Sequence, residues 1–287
     1  METDSEILYH YTDAKGALGI LGSQELWATA LSHMTDQSEL MVFIDPVEAI
    51  IRNKYSERKN NLKTKIDAMK NMLLELSSTL FAFCLSKKED LLSQWRGYCP
   101  VEGGVAIGFD SGCLRKNSIA QKHVLLKCEY CNPKKIVENP YSLREIEKQL
   151  KNDTNRVLER MGISEIDNLQ NRTGIDAELF VYVLYLLEFS LKYKNIGFKE
   201  EEEWRILYPV FPSQKKTHGN IFFRTRRGCI IPYTKLPIDK SCVKKIIVGP
   251  GKNKEQIADT LRYSTLPSYG YSNKDVEVYC SDIPYNP

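Results

Sequence analysis

The sequence predicts an α+β fold, from three observations. Runs of strand length with β-branched and aromatic character recur along the chain: "EILYHYT", "TLFAFCLS", "GGVAIGFD", "EEEWRILYPV", "VKKIIVGP" and "DVEVYCS". Helical segments of very different length stand between them, with no internal repeat and no low-complexity linker. The chain of 287 residues with 42% hydrophobic content can bury a sizeable core, enough for one elaborated domain or two small ones.

In order, "EILYHYT" is a short strand, and Asp13 is placed to cap the helix "AKGALGILGS". After "ELWATA", a long charged helical stretch runs from about 46 to 80, opened by Pro46 in a first-turn position. Next come the buried strand "TLFAFCLS", the short helix "EDLLSQWRGY" and a second buried strand, "GGVAIGFD". Two helical segments, Ser142 to Met161 and Asp176 to Lys194, form an inserted block before "EEEWRILYPV". The tail reads as a strand "VKKIIVGP", a helix "NKEQIADTLRY" and a last strand "DVEVYCS". A single domain over 1–287, with helical insertions at about 46–80 and 142–194, accommodates all of this.

Composition narrows the function classes. The densest apolar segment, "AELFVYVLYLLEFSLKY", is interrupted by Glu178 and Glu188 and reads as a buried helix rather than a membrane span. No basic and apolar leader is visible at the N-terminus, so a cytoplasmic protein with eight reduced cysteines is expected. A net charge of +3 argues against a general nucleic-acid coat but leaves room for a local patch, "FFRTRRGC", with Arg224, Arg226 and Arg227.

Several residues could carry chemistry. His10 lies mid-strand, on the opposite face from Tyr9 and Tyr11 by alternation. Ser86 ends a strand, a place where a hydroxyl serves either a site or a turn. In "KEEEEWRIL", alternation aims Glu201 and Glu203 to one face and Glu202 and Trp204 to the other; the competing reading is a solvated, charged edge. "CEYC" at Cys128 and Cys131 has knuckle spacing without a second ligand pair, so no metal is expected. "VGPGKNKEQ" lacks the lysine and hydroxyl arrangement of a P-loop, and no GxSxG, HExxH or GxGxxG occurs.

The stretches "LYHYTDAKGALGIL", "LWAT", "MTDQSE", "FCLSKKEDLLSQWRGY", "GVAIGFD", "EEEWRIL" and "IIVGP", in this order, resemble the motifs of the bacterial family catalogued as domain of unknown function 2971. The resemblance runs nearly the length of the chain. It departs where many relatives carry Asn-Asp and this chain has Thr35-Asp36, and in the long helices. That family in turn looks like a distant branch of the ADP-ribosyltransferases. The resemblance implies a split, mostly antiparallel sheet and NAD as substrate. It implies that His10 holds the NAD ribose, that Tyr11 and Thr12 follow at the nicotinamide amide, that Ser86 comes from a later strand, and that Glu203, paired with Glu201, orients a ribose hydroxyl.

Such residue types suit the reaction, because breaking the nicotinamide bond develops positive charge on the ribose that a carboxylate stabilises. Tyr11 and Trp27 are candidates to stack on nicotinamide, and Arg96 and Arg205 to meet the pyrophosphate, with core packing and ion pairing as their structural alternatives. The expected function is transfer of ADP-ribose to a macromolecular acceptor, protein or nucleic acid. Related transferases also suggest a toxin or phage-defence effector with an antitoxin or partner protein. The alternatives are an inactive module that binds a nucleotide or a partner, and a nucleic-acid-binding factor using the arginine patch.

Overall fold

A computed structural model describes residues 5–34, 48, 52, 62–100, 103–121, 123–132, 183, 191–209, 221–226, 228–272 and 274–284. The aromatic run at the start forms β1 (Ile7–Thr12), and the chain turns at Asp13, whose carboxylate accepts from the Gly16 amide and caps α1 (Ala14–Ser23). A left-handed Gln24, φ 57°, ends that helix and leads into β2 (Glu25–Ala30). α2 (Leu62–Ser77) is the described end of the first long helical segment; apart from Glu48 and Arg52, the rest of that segment lies outside the described residues.

β3 (Leu80–Ser86), α3 (Leu92–Tyr98) and β4 (Val105–Asp110) follow as expected. Asp110 accepts from the Cys113 amide and caps α4 (Ser111–Ala120), which leads to β5 (Val124–Lys127) and β6 (Glu129–Cys131). Most of the expected block at 142–194 lies outside the described residues. At its end, Tyr193–Asn195 is a strand, β7, rather than the close of a helix, because it pairs in parallel with β6. The remaining elements are β8 (Glu203–Pro209), the hairpin strands β9 (Ile221–Arg226) and β10 (Cys229–Pro237), β11 (Val243–Val248), α5 (Lys254–Thr260) and β12 (Glu277–Cys280).

Among the described residues the main sheet has ten strands in the path β12-β11-β4-β1-β3-β2-β10-β9, with β8 paired to β3 and β5 to β8. Every pairing in it is antiparallel except β11 with β12, so the fold is α+β with a mostly antiparallel sheet. The sheet forks at β3. One edge of β3 pairs with β8 along its whole length, from Leu80↔Pro209 to Ser86↔Glu203. The other edge is shared: β2 takes Phe81 and Ala82, and β1 takes Ser86.

The larger core gathers Leu8, Phe83, Ile107, Phe109, Trp204 and Ile246 with the apolar side of α1. On the opposite side a smaller cluster joins Tyr9, Tyr11, Ala106 and Ile247 to Trp95 of α3. Gly249, in the "IIVGP" motif, is what admits that tryptophan. A Cβ there would stand 2.7 Å from the Trp95 ring, closer than real contacts allow.

Cys113 and Cys242 form a disulfide between the first turn of α4 and the turn before β11, a correction to the expectation of eight reduced thiols. The two turns pack together with the Cα atoms 5.2 Å apart, a proximity set by tertiary folding that no sequence spacing reveals. The bridge closes a loop of 129 residues. Cys113→Ser is therefore expected to lower stability by about 2–4 kcal/mol, and wild type under reductant should unfold at the same urea concentration as the variant. Equal midpoints with and without reductant would show that the thiols are not bridged in solution.

Candidate functional site

Ser86, the last residue of β3, faces Tyr9 of β1 on one side and Glu203 of β8 on the other. Directly opposed residues of antiparallel strands project from the same face, so these three stand together, and Cys84 and Tyr11 join them by alternation. α3 covers this face with Gln94 and Tyr98, one helical turn apart. The result is a cavity of about 40 Å³ lined by Tyr9, His10, Tyr11, Cys84, Leu85, Ser86, Gln94, Tyr98, Glu201 and Glu203.

His10 reaches this cavity differently from the rest. Its strand partner is Ile107, and its ring stacks on Phe83 at 4.1 Å between centroids, so it projects from the face opposite Glu203. It borders the cavity only because the sheet forks, with β3 lying between β1 and β8. Its Nδ1 lies 2.9 Å from the Cys84 carbonyl oxygen. A carbonyl only accepts, so Nδ1 carries a proton and donates it to β3 in the stretch that neither β1 nor β2 pairs.

Charge is concentrated at Glu203. Its Oε1 accepts from Arg205 Nε and its Oε2 from Lys194 Nζ, both at 2.6 Å, and Lys194 also donates to Glu201 Oε2 at 2.6 Å. Glu203 and Lys194 are 4% exposed and Arg205 is 1% exposed. Burial alone raises the Glu203 carboxyl, but the positive charges of Arg205 and Lys194 and their hydrogen bonds outweigh it and bring the pKa down to about 2. Burial, and then the Glu201 charge, push the Tyr98 phenol well above its usual range; burial, and then Glu203, do the same to the Cys84 thiol. Near neutral pH the Tyr98 phenol and the Cys84 thiol keep their protons, and the carboxylate of Glu203 is ionised.

Glu201 and Glu203 share Lys194 for a reason other than the expected alternation. A 3-10 segment, Ile196–Glu201, is opened by Asn195, which accepts from the Gly197 amide, and β8 begins only at Glu203. Between them Glu202 is left-handed, with φ 41° and ψ 54°, and this kink returns both neighbours to the same cation. Ser86 fastens the turn: its hydroxyl donates to the Glu201 carbonyl and accepts from the Lys88 amide. Glu202 itself turns outward to Lys88 at 2.6 Å, on a partly exposed surface where such a pair contributes little. Glu202→Gln is expected to cost under about 0.5 kcal/mol in urea unfolding and to leave the cavity chemistry unchanged.

Four of the residues expected to bind NAD lie outside the cavity lining. Arg205 is buried, donating to Glu203 and to the Leu191 carbonyl, so it serves as an internal counter-ion to Glu203. Arg96 is exposed on α3, turned away from Gln94 and Tyr98. Trp27 lies on the outer wing of the sheet, against Tyr233 and Gly19. Thr12 ends β1, its carbonyl accepting from Cys99 Sγ. Tyr11 does line the cavity, yet its phenol is spent on the loop after β3, donating to the Lys88 carbonyl and accepting from the Leu91 amide.

Sequence reasoning missed Lys194, Gln94 and Tyr98. The i, i+4 spacing of Gln94 and Tyr98 could have flagged the last two as one helix face, whereas Lys194 follows an apolar helix pattern and carries no local signal. Cys128 is buried and Cys131 ends β6; among the described residues no three His, Cys, Asp or Glu side chains are grouped to hold a metal ion. No helix among them is long and apolar enough to cross a membrane.

No curated protein and no solved structure matches the chain. Residues 94–206, from Gln94 on α3 to Ile206 on β8, match the family described as Protein of unknown function (DUF2971); this supports the family expected from the motifs, over a stretch that holds Lys194, Glu201 and Glu203 and leaves His10 and Ser86 outside.

Proposed function

We propose that the cavity is the reaction centre of an ADP-ribosyltransferase-like enzyme that cleaves NAD. The observation that supports this reading is the Glu203 carboxylate at the cavity wall, opposite Ser86 and held by Lys194 and Arg205. In the reaction the bond between ribose C1 and the nicotinamide nitrogen breaks, and its electron pair leaves with nicotinamide. The cationic ribose is stabilised by Glu203. An acceptor on protein or nucleic acid then forms a bond to C1 and loses its proton to solvent. His10 acts through the fork, holding β3 by its Cys84 contact, and is a positioning residue in this scheme. The role of Lys194 and Arg205 is to keep the carboxylate charged and aimed.

At about 40 Å³ the cavity has room for a few waters, far below the roughly 300 Å³ of a small-molecule site, so NAD binding requires the site to open. A second reading, a binding module without turnover, is favoured by the engagement of both Glu203 oxygens with cations. Incubating purified protein with NAD separates the two. Release of nicotinamide supports the enzyme; calorimetric binding without release supports the module; neither result leaves a place for NAD. A toxin or phage-defence role with an antitoxin or partner protein rests on the first outcome.

A further inference from the structure

The tryptophan that is absent from the cavity belongs to a second surface. On the outer wing, β10 pairs with β2 and β9 in a register that sets Trp27, Tyr233 and Phe222 in a row across three adjacent strands. The ring centroids are 5.3 Å apart from Trp27 to Tyr233 and 5.6 Å from Tyr233 to Phe222. Cations are interleaved with the rings. The Arg224 guanidinium lies over both Trp27 and Tyr233, at 5.9 and 5.4 Å, and Lys235 lies over Phe222 at 5.0 Å. Phe222 is 38% exposed, and among the described residues the Trp27 Nε1 donor finds no hydrogen-bond partner.

We propose that this face binds single-stranded nucleic acid. Two features select that occupant. Aromatic rings on neighbouring strands form a platform on which unpaired bases stack without regard to sequence. A planar cation held beside the rings meets the phosphates that link those bases, and after Thr225 the sequence continues with Arg226 and Arg227. Phe222 stacks a base and Arg224 meets the adjoining phosphate. Tyr233, at 9% exposure, is the floor on which both rest. A duplex, whose bases are stacked inside, offers phosphates but no free ring face and binds more weakly. The inference is independent of NAD chemistry, since neither NAD nor turnover enters its test.

The test is fluorescence anisotropy of a labelled oligodeoxythymidine titrated with the whole protein at low and at physiological salt. Anisotropy should rise, and affinity should fall as salt is raised. Phe222→Ala, a change at a partly exposed ring, should weaken binding roughly tenfold. Arg224→Gln should flatten the salt dependence by about one phosphate contact; because Arg224 also donates to Thr29 Oγ1, its fold is checked by circular dichroism. Phe223→Ala is the control, since Phe223 is 68% exposed on the opposite face of the same strand and should leave affinity unchanged. No anisotropy change at low salt would overturn the proposal. So would a Phe222→Ala variant that binds like wild type, a Phe223→Ala variant that loses as much, or a duplex that binds as tightly as the single strand.

Discussion

Glu203→Gln is expected to cost about 3 kcal/mol of folding stability and, on the proposed function, to abolish release of nicotinamide from NAD. Glutamine keeps the size of the side chain, but it leaves Lys194 and Arg205, both buried, without the anion they share. The pH dependence carries a definite sign. Folding lowers the Glu203 pKa from 4.5 to about 2, so its stabilisation is fully present above about 4.5 and is lost as pH falls toward 2. Urea unfolding of wild type and variant should differ most at neutral pH and converge in acid. Equal stability at pH 7 would mean that the two ion pairs contribute nothing net.

Lys194→Met carries the second largest effect, about 2–3 kcal/mol at neutral pH, by the opposite route. It removes the cation between two carboxylates and leaves Glu201 and Glu203 facing each other beside Arg205. Like charges raise one carboxyl pKa. A raised folded pKa gives stability that is present at low pH and lost as pH rises, so this variant should regain stability relative to wild type on mild acidification. Combining Lys194→Met with Glu203→Gln removes one charge of each sign. The double variant should be more stable than the sum of the two losses predicts, by about 1–2 kcal/mol in a double-mutant cycle. If turnover stays absent in that rescued protein, Glu203 is needed for chemistry; if it returns, the carboxylate only balanced buried charge.

Local pattern carried much of the framework. Asp13 could be read as a cap because its side chain serves an amide three residues away, and the strand runs could be read because apolar and aromatic spacing needs no distant partner. The basic patch was legible as composition, but the hairpin that carries it was not. "FFRTRRGC" was read for its arginines, while the fold makes it the end of β9 and the start of β10, two strands that meet near Gly228, φ 78°, in the positive-φ conformation glycine tolerates.

What the sequence by itself determined is the set of chemical groups and the elements that hold them: an α+β chain with Tyr9 to Tyr11 on the first strand, Ser86 at the end of another, and glutamates at the head of a third. Only the tertiary structure decided which of them meet. Strand register put Glu203 beside Ser86 and turned His10 to the other face, and the fork at β3 let both border one cavity. Chain reversal brought Lys194 between two carboxylates, Cys113 against Cys242, and Trp27 under Arg224 rather than into the cavity lining. The physical reason is range. Caps and periodicity are satisfied within a few residues, whereas a buried ion pair, a disulfide or a shared sheet face depends on pairings between distant segments, whose register is chosen by the packing of the whole core.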